Sequence, residues 1–233
     1  MHVDEIKKSA AVEKQALAEG ELALINRQAL KELTAEEVFV FRVAACDDQV
    51  DRDYERFTAE ALAKLAELFV GRTVLMDHRW SAGGQTARIY AAGVEETEGV
   101  HRLILRAYML RSEQTAPTIT AIEGGILREV SVGCQVSKAV CSTCGADRRQ
   151  TYCGHCPGQV YEGEACHIDL DEPTDAYELS FVAVPAQRAA GVVKHYGGRG
   201  EPEALPQPGE EAPELTLRMR LTAASLALAE MEE

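Results

Sequence analysis

Two Cys-x-x-Cys pairs, Cys141-Ser-Thr-Cys144-Gly145 and Cys153-Gly-His-Cys156-Pro-Gly158, are the plainest chemical signal in the chain. Two thiolates separated by two residues can reach one ion from a tight turn, and the following glycine lets the chain reverse. Two such knuckles supply Cys141, Cys144, Cys153 and Cys156 as the four soft ligands of a closed tetrahedral zinc site. His155 could replace Cys153 or Cys156, and Cys166 could complete the set. Redox dithiols are the alternative, but such motifs normally come singly. The total of seven cysteines is odd, which fits poorly with a disulfide framework. A four-thiolate site has no open coordination position, so the zinc is read as structural. It would fold an insert, residues 141–166, that is too short for a core of its own. Cys46 and Cys134 fall on strands and read as buried apolar residues.

A second chemistry, hydrolysis by a serine, needs a hydroxyl, a base and a group that orients the base. Three segments offer these residue types. Met76-Asp77-His78 ends a strand. Glu129-Val-Ser131-Val-Gly133 places a hydroxyl inside an apolar stretch, where a serine is otherwise unhelpful. Tyr177-Glu178-Leu-Ser180 puts a carboxylate and another serine on a strand. Singly, each reads as an ordinary surface or edge residue.

The elements that would position them follow from the pattern. Val38–Ala45 is rich in β-branched and aromatic residues and predicts a strand, which runs into the polar turn Asp47–Asp53. Thr58 predicts a helix cap ahead of Leu62, Leu65, Ala66 and Phe69 on one face, with Gly71 as the stop. Strands are expected at 73–76, 86–94, 101–110, 126–140 and 177–184. A short helix should start near Pro117 and end at Gly124-Gly125. The sum is α+β, mainly β: a mixed or antiparallel β-barrel with helices packed outside, spanning residues 36–196. Residues 1–35 read as an N-terminal arm or peripheral helix. Residues 197–213 hold four of the eight prolines and read as an acidic linker, and 214–233 as a terminal helix.

The order of these segments resembles a known family. Tailed-phage prohead proteases show Asp-His, then a strand with an arginine, a short helix, a Ser-Val-Gly strand and a final Glu-x-Ser-x-Val-x-x-Pro-Ala strand. Here the matching residues are Asp77-His78, Ala87-Arg88-Ile89, the stretch from Gly125 to Ser131-Val-Gly133, and the stretch from Glu178 to Val182, Pro185 and Ala186. The resemblance covers about residues 36–195, and a variant of the family carries a cysteine/histidine knuckle near the active site. It implies the herpesvirus maturation protease fold, a barrel ringed by helices. It also implies a serine endopeptidase with Ser131 as nucleophile, His78 as base and Glu178 as third member, with Asp77 the competitor for that place. Backbone amides near Gly133 or Arg88 are the candidate oxyanion donors. The implied partners are the phage scaffolding protein and the N-terminal arm of the major capsid protein, cut inside the prohead in the host cytoplasm. Self-cleavage and a homodimer are further expectations.

Net charge narrows the alternatives. At −14 the chain is poorly suited to nucleic acid or to anionic lipid. Neither a signal peptide nor a run of about 18 apolar residues, as a membrane span would need, is visible.

Overall fold

The computed structural model describes residues 19–187 and 190–192. The strongest sequence pattern becomes a long strand, paired along its length with the strand Val100–Leu110. After a helix α1 (Glu19–Asn26), Val38–Asp47 forms β1, almost wholly buried, its side chains divided between the two apolar clusters described below. A short β2 (Glu55–Phe57) leads into α2 (Ala59–Phe69), then β3 (Thr73–Met76), β4 (Ala87–Thr97) and β5 (Val100–Leu110). The helix α3 (Ala116–Glu123) precedes the long β6 (Val130–Cys141). The small hairpin β7 (Val160–Tyr161) and β8 (Glu164–Ala165), the long β9 (Ile168–Phe181) and the two-residue β10 (Gly191–Val192) complete the order.

The sheet runs β10-β1-β5-β4-β3-β9-β2, with β6 joined to the other side of β9. β9 is the hub. It takes β6 antiparallel along its length, β3 parallel at its C-terminal end and β2 parallel at its N-terminal end. The expected barrel is not found as a closed ladder. β10 pairs with β1 at two positions and touches the chain ahead of β6 only through the bridge Glu129↔Gly191. The physical reason lies in residues 126–129, expected as strand. Gly125 takes φ +74°, and the N–H groups of Ile126 and Leu127 both donate back to Ala121 O, so this stretch caps α3 instead of extending β6.

α2 seals one face of the sheet. Thr58 Oγ1 accepts from Ala61 N at 3.1 Å and donates to Asp171 Oδ1 at 2.9 Å, so the cap also ties the helix to β9. Leu62, Leu65 and Phe69 are fully buried against Phe41, Val43, Leu105, Leu179 and their neighbours. Each such side chain contributes about 1.5–3 kcal/mol by leaving water. Gly71, at φ +86°, ends the helix as expected. On the outer face Ile25 of α1 and Leu33 pack on Tyr90 and Tyr108.

The N-terminal half of β9 escaped the sequence reading. Asp169, Asp171, Glu172 and Asp175 make it look like a loop. In the sheet Asp169 and Asp175 are paired with Arg56 and Arg72, at 2.5 and 2.8 Å. The expected linker 197–213 and terminal helix 214–233 lie outside the described residues. No helix among the described residues is long and apolar enough to cross a membrane.

Candidate active site and candidate metal centre

His78 is aimed by a turn that its own sequence selects. Asp77 and His78 both have φ 53°, and Arg79 N donates to Met76 O at 3.0 Å, the geometry of a type I′ turn. Asp and His are among the few side chains that tolerate the left-handed region. Asp77 N continues the ladder to Phe181 O at 2.9 Å, and the Asp77 carboxylate makes no hydrogen bond to the imidazole. The carboxylate that does so belongs to Glu178, whose Oε1 lies 2.7 Å from His78 Nδ1.

Glu178 and Ser180 share a face of β9, two residues apart. Ser180 Oγ donates to Glu178 Oε2 at 2.5 Å and accepts from His78 N at 3.0 Å. Both residues are buried, Ser180 completely, so Ser180 pins the glutamate and the turn but has no access to a ligand. An ionised carboxylate only accepts, so Nδ1 carries the ring proton and Nε2 keeps its lone pair. The ring itself is 42% exposed and lines a cavity of about 400 Å³.

Ser131 reaches the same cavity from β6. The register pairs Ser131 with Ser180 and Gly133 with Glu178, so all four stand on one face of the sheet. Val132 points the other way, into the core. The glycine has a steric cause: a Cβ at position 133 would lie 2.5 Å from Glu178 Oε1 and 3.3 Å from its Cδ. Glu178 crosses directly over Gly133. Gly133→Ala is therefore expected to push the carboxylate off His78. Overpacking of this kind costs about 1–3 kcal/mol, so thermal melting should fall by a few degrees and any activity resting on the His78–Glu178 pair by tenfold or more.

Among the described residues Ser131 makes no hydrogen bond to His78, although both line the one cavity. Of the two oxyanion candidates, Gly133 is a wall residue and Arg88 is not; its guanidinium bonds Gly71 O and Gln85 Oε1, each at 2.8 Å. The rest of the wall was not legible as functional. It includes Asp51 and Asp53 from the polar turn, Glu55 at the start of β2, the Trp80–Tyr177 pair with ring centroids 5.4 Å apart, and Gln187. Gln187 Oε1 accepts from Asp47 N at 3.0 Å, tying the end of the domain to β1.

The cysteine insert closes at one end of the β6–β9 hairpin. Cys141, the last residue of β6, stands with Cys144, Cys153 and His155 so that their donor atoms all lie within 4.8 Å of one another. This set could hold a metal such as zinc. Of the alternatives the sequence left open, the set contains His155 beside Cys141, Cys144 and Cys153. In the Cys153-Gly-His-Cys156 turn His155 Nδ1 lies 3.3 Å from Cys153 Sγ, and its ring sits edge-on to Tyr161. Cys156 instead gives its backbone N–H to the Tyr161 hydroxyl and leaves its side chain exposed. Cys166 Sγ is 3.7 Å from Cys141 Sγ, close to the ~3.8 Å between two thiolates on one tetrahedral zinc. Burial pushes the Cys141 thiol up, but the N–H groups of Cys144 and Thr143 and the thiols of Cys153 and Cys166 outweigh it, and it settles at about 6. A thiol so disposed is readily a thiolate, the form that binds metal.

The cluster is not beside Ser131, as expected from sequence. Ten residues of β6, with register shifts at Gly133/Cys134 and Gln135/Val136, separate Ser131 from Cys141, and none of Cys141, Cys144, Cys153 and His155 lines the cavity. No family model, curated protein or solved structure matches this chain.

Proposed function

We propose that this protein is a serine endopeptidase of the tailed-phage prohead maturation type. The observation that carries the reading is the buried Glu178 bonded to His78 Nδ1, on a cavity that Ser131 also lines. In this mechanism His78 Nε2 takes the Ser131 proton as Oγ attacks a peptide carbonyl. Glu178 stabilises the imidazolium, which then protonates the leaving amine. Water, deprotonated by the same imidazole, releases the acyl group and restores Ser131. The Glu129↔Gly191 bridge would complete a barrel like that of the herpesvirus maturation protease. The substrates are the scaffolding protein and the N-terminal arm of the capsid protein, and the zinc is structural.

A non-catalytic zinc-ribbon interaction module is the second reading, favoured by the missing Ser131–His78 hydrogen bond. Such bonds often form only when substrate excludes water, so geometry without ligand leaves the protease reading ahead. Co-expression with the neighbouring scaffold and capsid proteins separates the two. Trimming by wild type and not by Ser131→Ala supports the protease. Trimming by neither leaves the interaction module.

A further inference from the structure

The cavity shared by Ser131 and His78 carries charge of one sign. Besides Glu178, which is engaged by His78, three carboxylates, Asp51, Asp53 and Glu55, stand on its wall, and neither lysine nor arginine lines it. Their placement is built in. Asp51 Oδ1 accepts from the N–H groups of Asp53 and Glu55, at 2.9 and 3.0 Å, and Asp51 N donates to Glu55 O at 2.8 Å. The turn thus closes on itself, and the side chains of Asp53 and Glu55 make no hydrogen bond among the described residues. Burial raises the Glu55 carboxyl, and Asp51 and Asp53 raise it further, against a smaller opposing effect of Arg148 and Arg149. On the same cavity Trp80, 69% exposed, leans on Tyr177 and offers an apolar face.

Resting on the endopeptidase reading, we propose that this cavity is the specificity subsite for a cationic side chain, lysine or arginine, adjoining the scissile bond. An ammonium or guanidinium entering it relieves the repulsion among three carboxylates and forms charge-assisted hydrogen bonds with those of Asp53 and Glu55. The aliphatic stem lies along Trp80, and the indole face also attracts the cation. An aspartate or glutamate in the same place meets like charge, so selection works by rejection as well as by attraction.

The test incubates the full-length, zinc-containing protein with a peptide library of mixed sequence and maps the cut sites by mass spectrometry. Enrichment of lysine or arginine next to the cut bond, depending on Ser131, is the expected result. Asp53→Asn combined with Glu55→Gln should lower the cationic-to-neutral ratio of kcat/KM about tenfold, mainly through KM. Glu55→Lys should turn the preference toward acidic side chains, which a merely structural role for the turn would not do. Ser131-dependent cleavage without cationic enrichment overturns this inference and leaves the protease standing. Absence of cleavage in any peptide, together with untrimmed scaffold and capsid, overturns both.

Discussion

Replacing Ser131 by alanine is expected to lower kcat on a cleaved peptide by about 10⁴- to 10⁶-fold while leaving the fold intact. The side chain lost is small, partly exposed and free of hydrogen bonds to His78, so circular dichroism and melting temperature should match wild type. Glu178→Gln, measured beside it, should cost about 10⁴-fold in kcat, the scale of losing a tautomer-holding carboxylate. The carboxylate accepts from two donors, His78 Nδ1–H and Ser180 Oγ–H, at 2.7 and 2.5 Å. A carboxamide offers one oxygen and one NH₂, so it cannot serve both. Either the imidazole takes the other tautomer and Nε2 ceases to be a base, or a hydroxyl in a fully buried site loses its acceptor. The second outcome also destabilises, by about 1–3 kcal/mol, so Glu178→Gln should melt lower than Ser131→Ala. Equal kcat for wild type and Ser131→Ala would remove Ser131 as nucleophile. Ser180 could not replace it without leaving the core, and the metal end of the hairpin would then become the place to look.

How much of this arrangement the sequence disclosed depends on how local its cause is. The Thr58 cap, the apolar face of α2 and the Gly71 stop are set by a few neighbouring residues, and all were legible. The Asp-His turn was legible as a motif, but its cause, two left-handed residues ending a parallel strand, was not. Adjacent residues there do not alternate as on a strand, and what decides between Asp77 and Glu178 is the β3–β9 register, a long-range fact. Gly133 is the same kind of case. Its missing side chain makes sense only once Glu178 crosses it from 45 residues away in sequence. The acidic half of β9 was hidden because its charges are matched by Arg56 and Arg72 from other elements. The metal donors were legible as a set but not as a choice, since a turn of four residues can present either His155 or Cys156.

The second large effect concerns the metal. Stripping it from the protein with a chelator, or Cys153→Ser, should unfold residues 142–167 and leave the rest of the sheet standing. The insert has little else to hold it: two strands of two residues each, and a buried cluster made of Cys141, Cys153, Cys166 and Ile168. Structural zinc in comparable small modules supplies an apparent free energy of about 10–16 kcal/mol, more than a cluster of four buried side chains gives at about 1.5–3 kcal/mol each. Elemental analysis should find one zinc per chain, and chelation should erase amide-exchange protection over the insert while β1 and β5 keep theirs. The consequence for activity is graded by distance. Gly158 lies under the ring of Tyr54, where a Cβ would come within 2.6 Å of Cε2, and Tyr54 O accepts from Ile168 N at 2.9 Å. Tyr54 belongs to the turn that carries Asp51, Asp53 and Glu55, so a loosened insert frees that wall of the cavity. The His78–Glu178–Ser180 bonds are made at the other end of β9, ten residues on from Ile168, and none of them involves an insert residue. Metal loss should therefore raise KM severalfold or more and change kcat little. A collapse of kcat on chelation, with exchange protection around β3 unchanged, would place the metal in the chemistry itself.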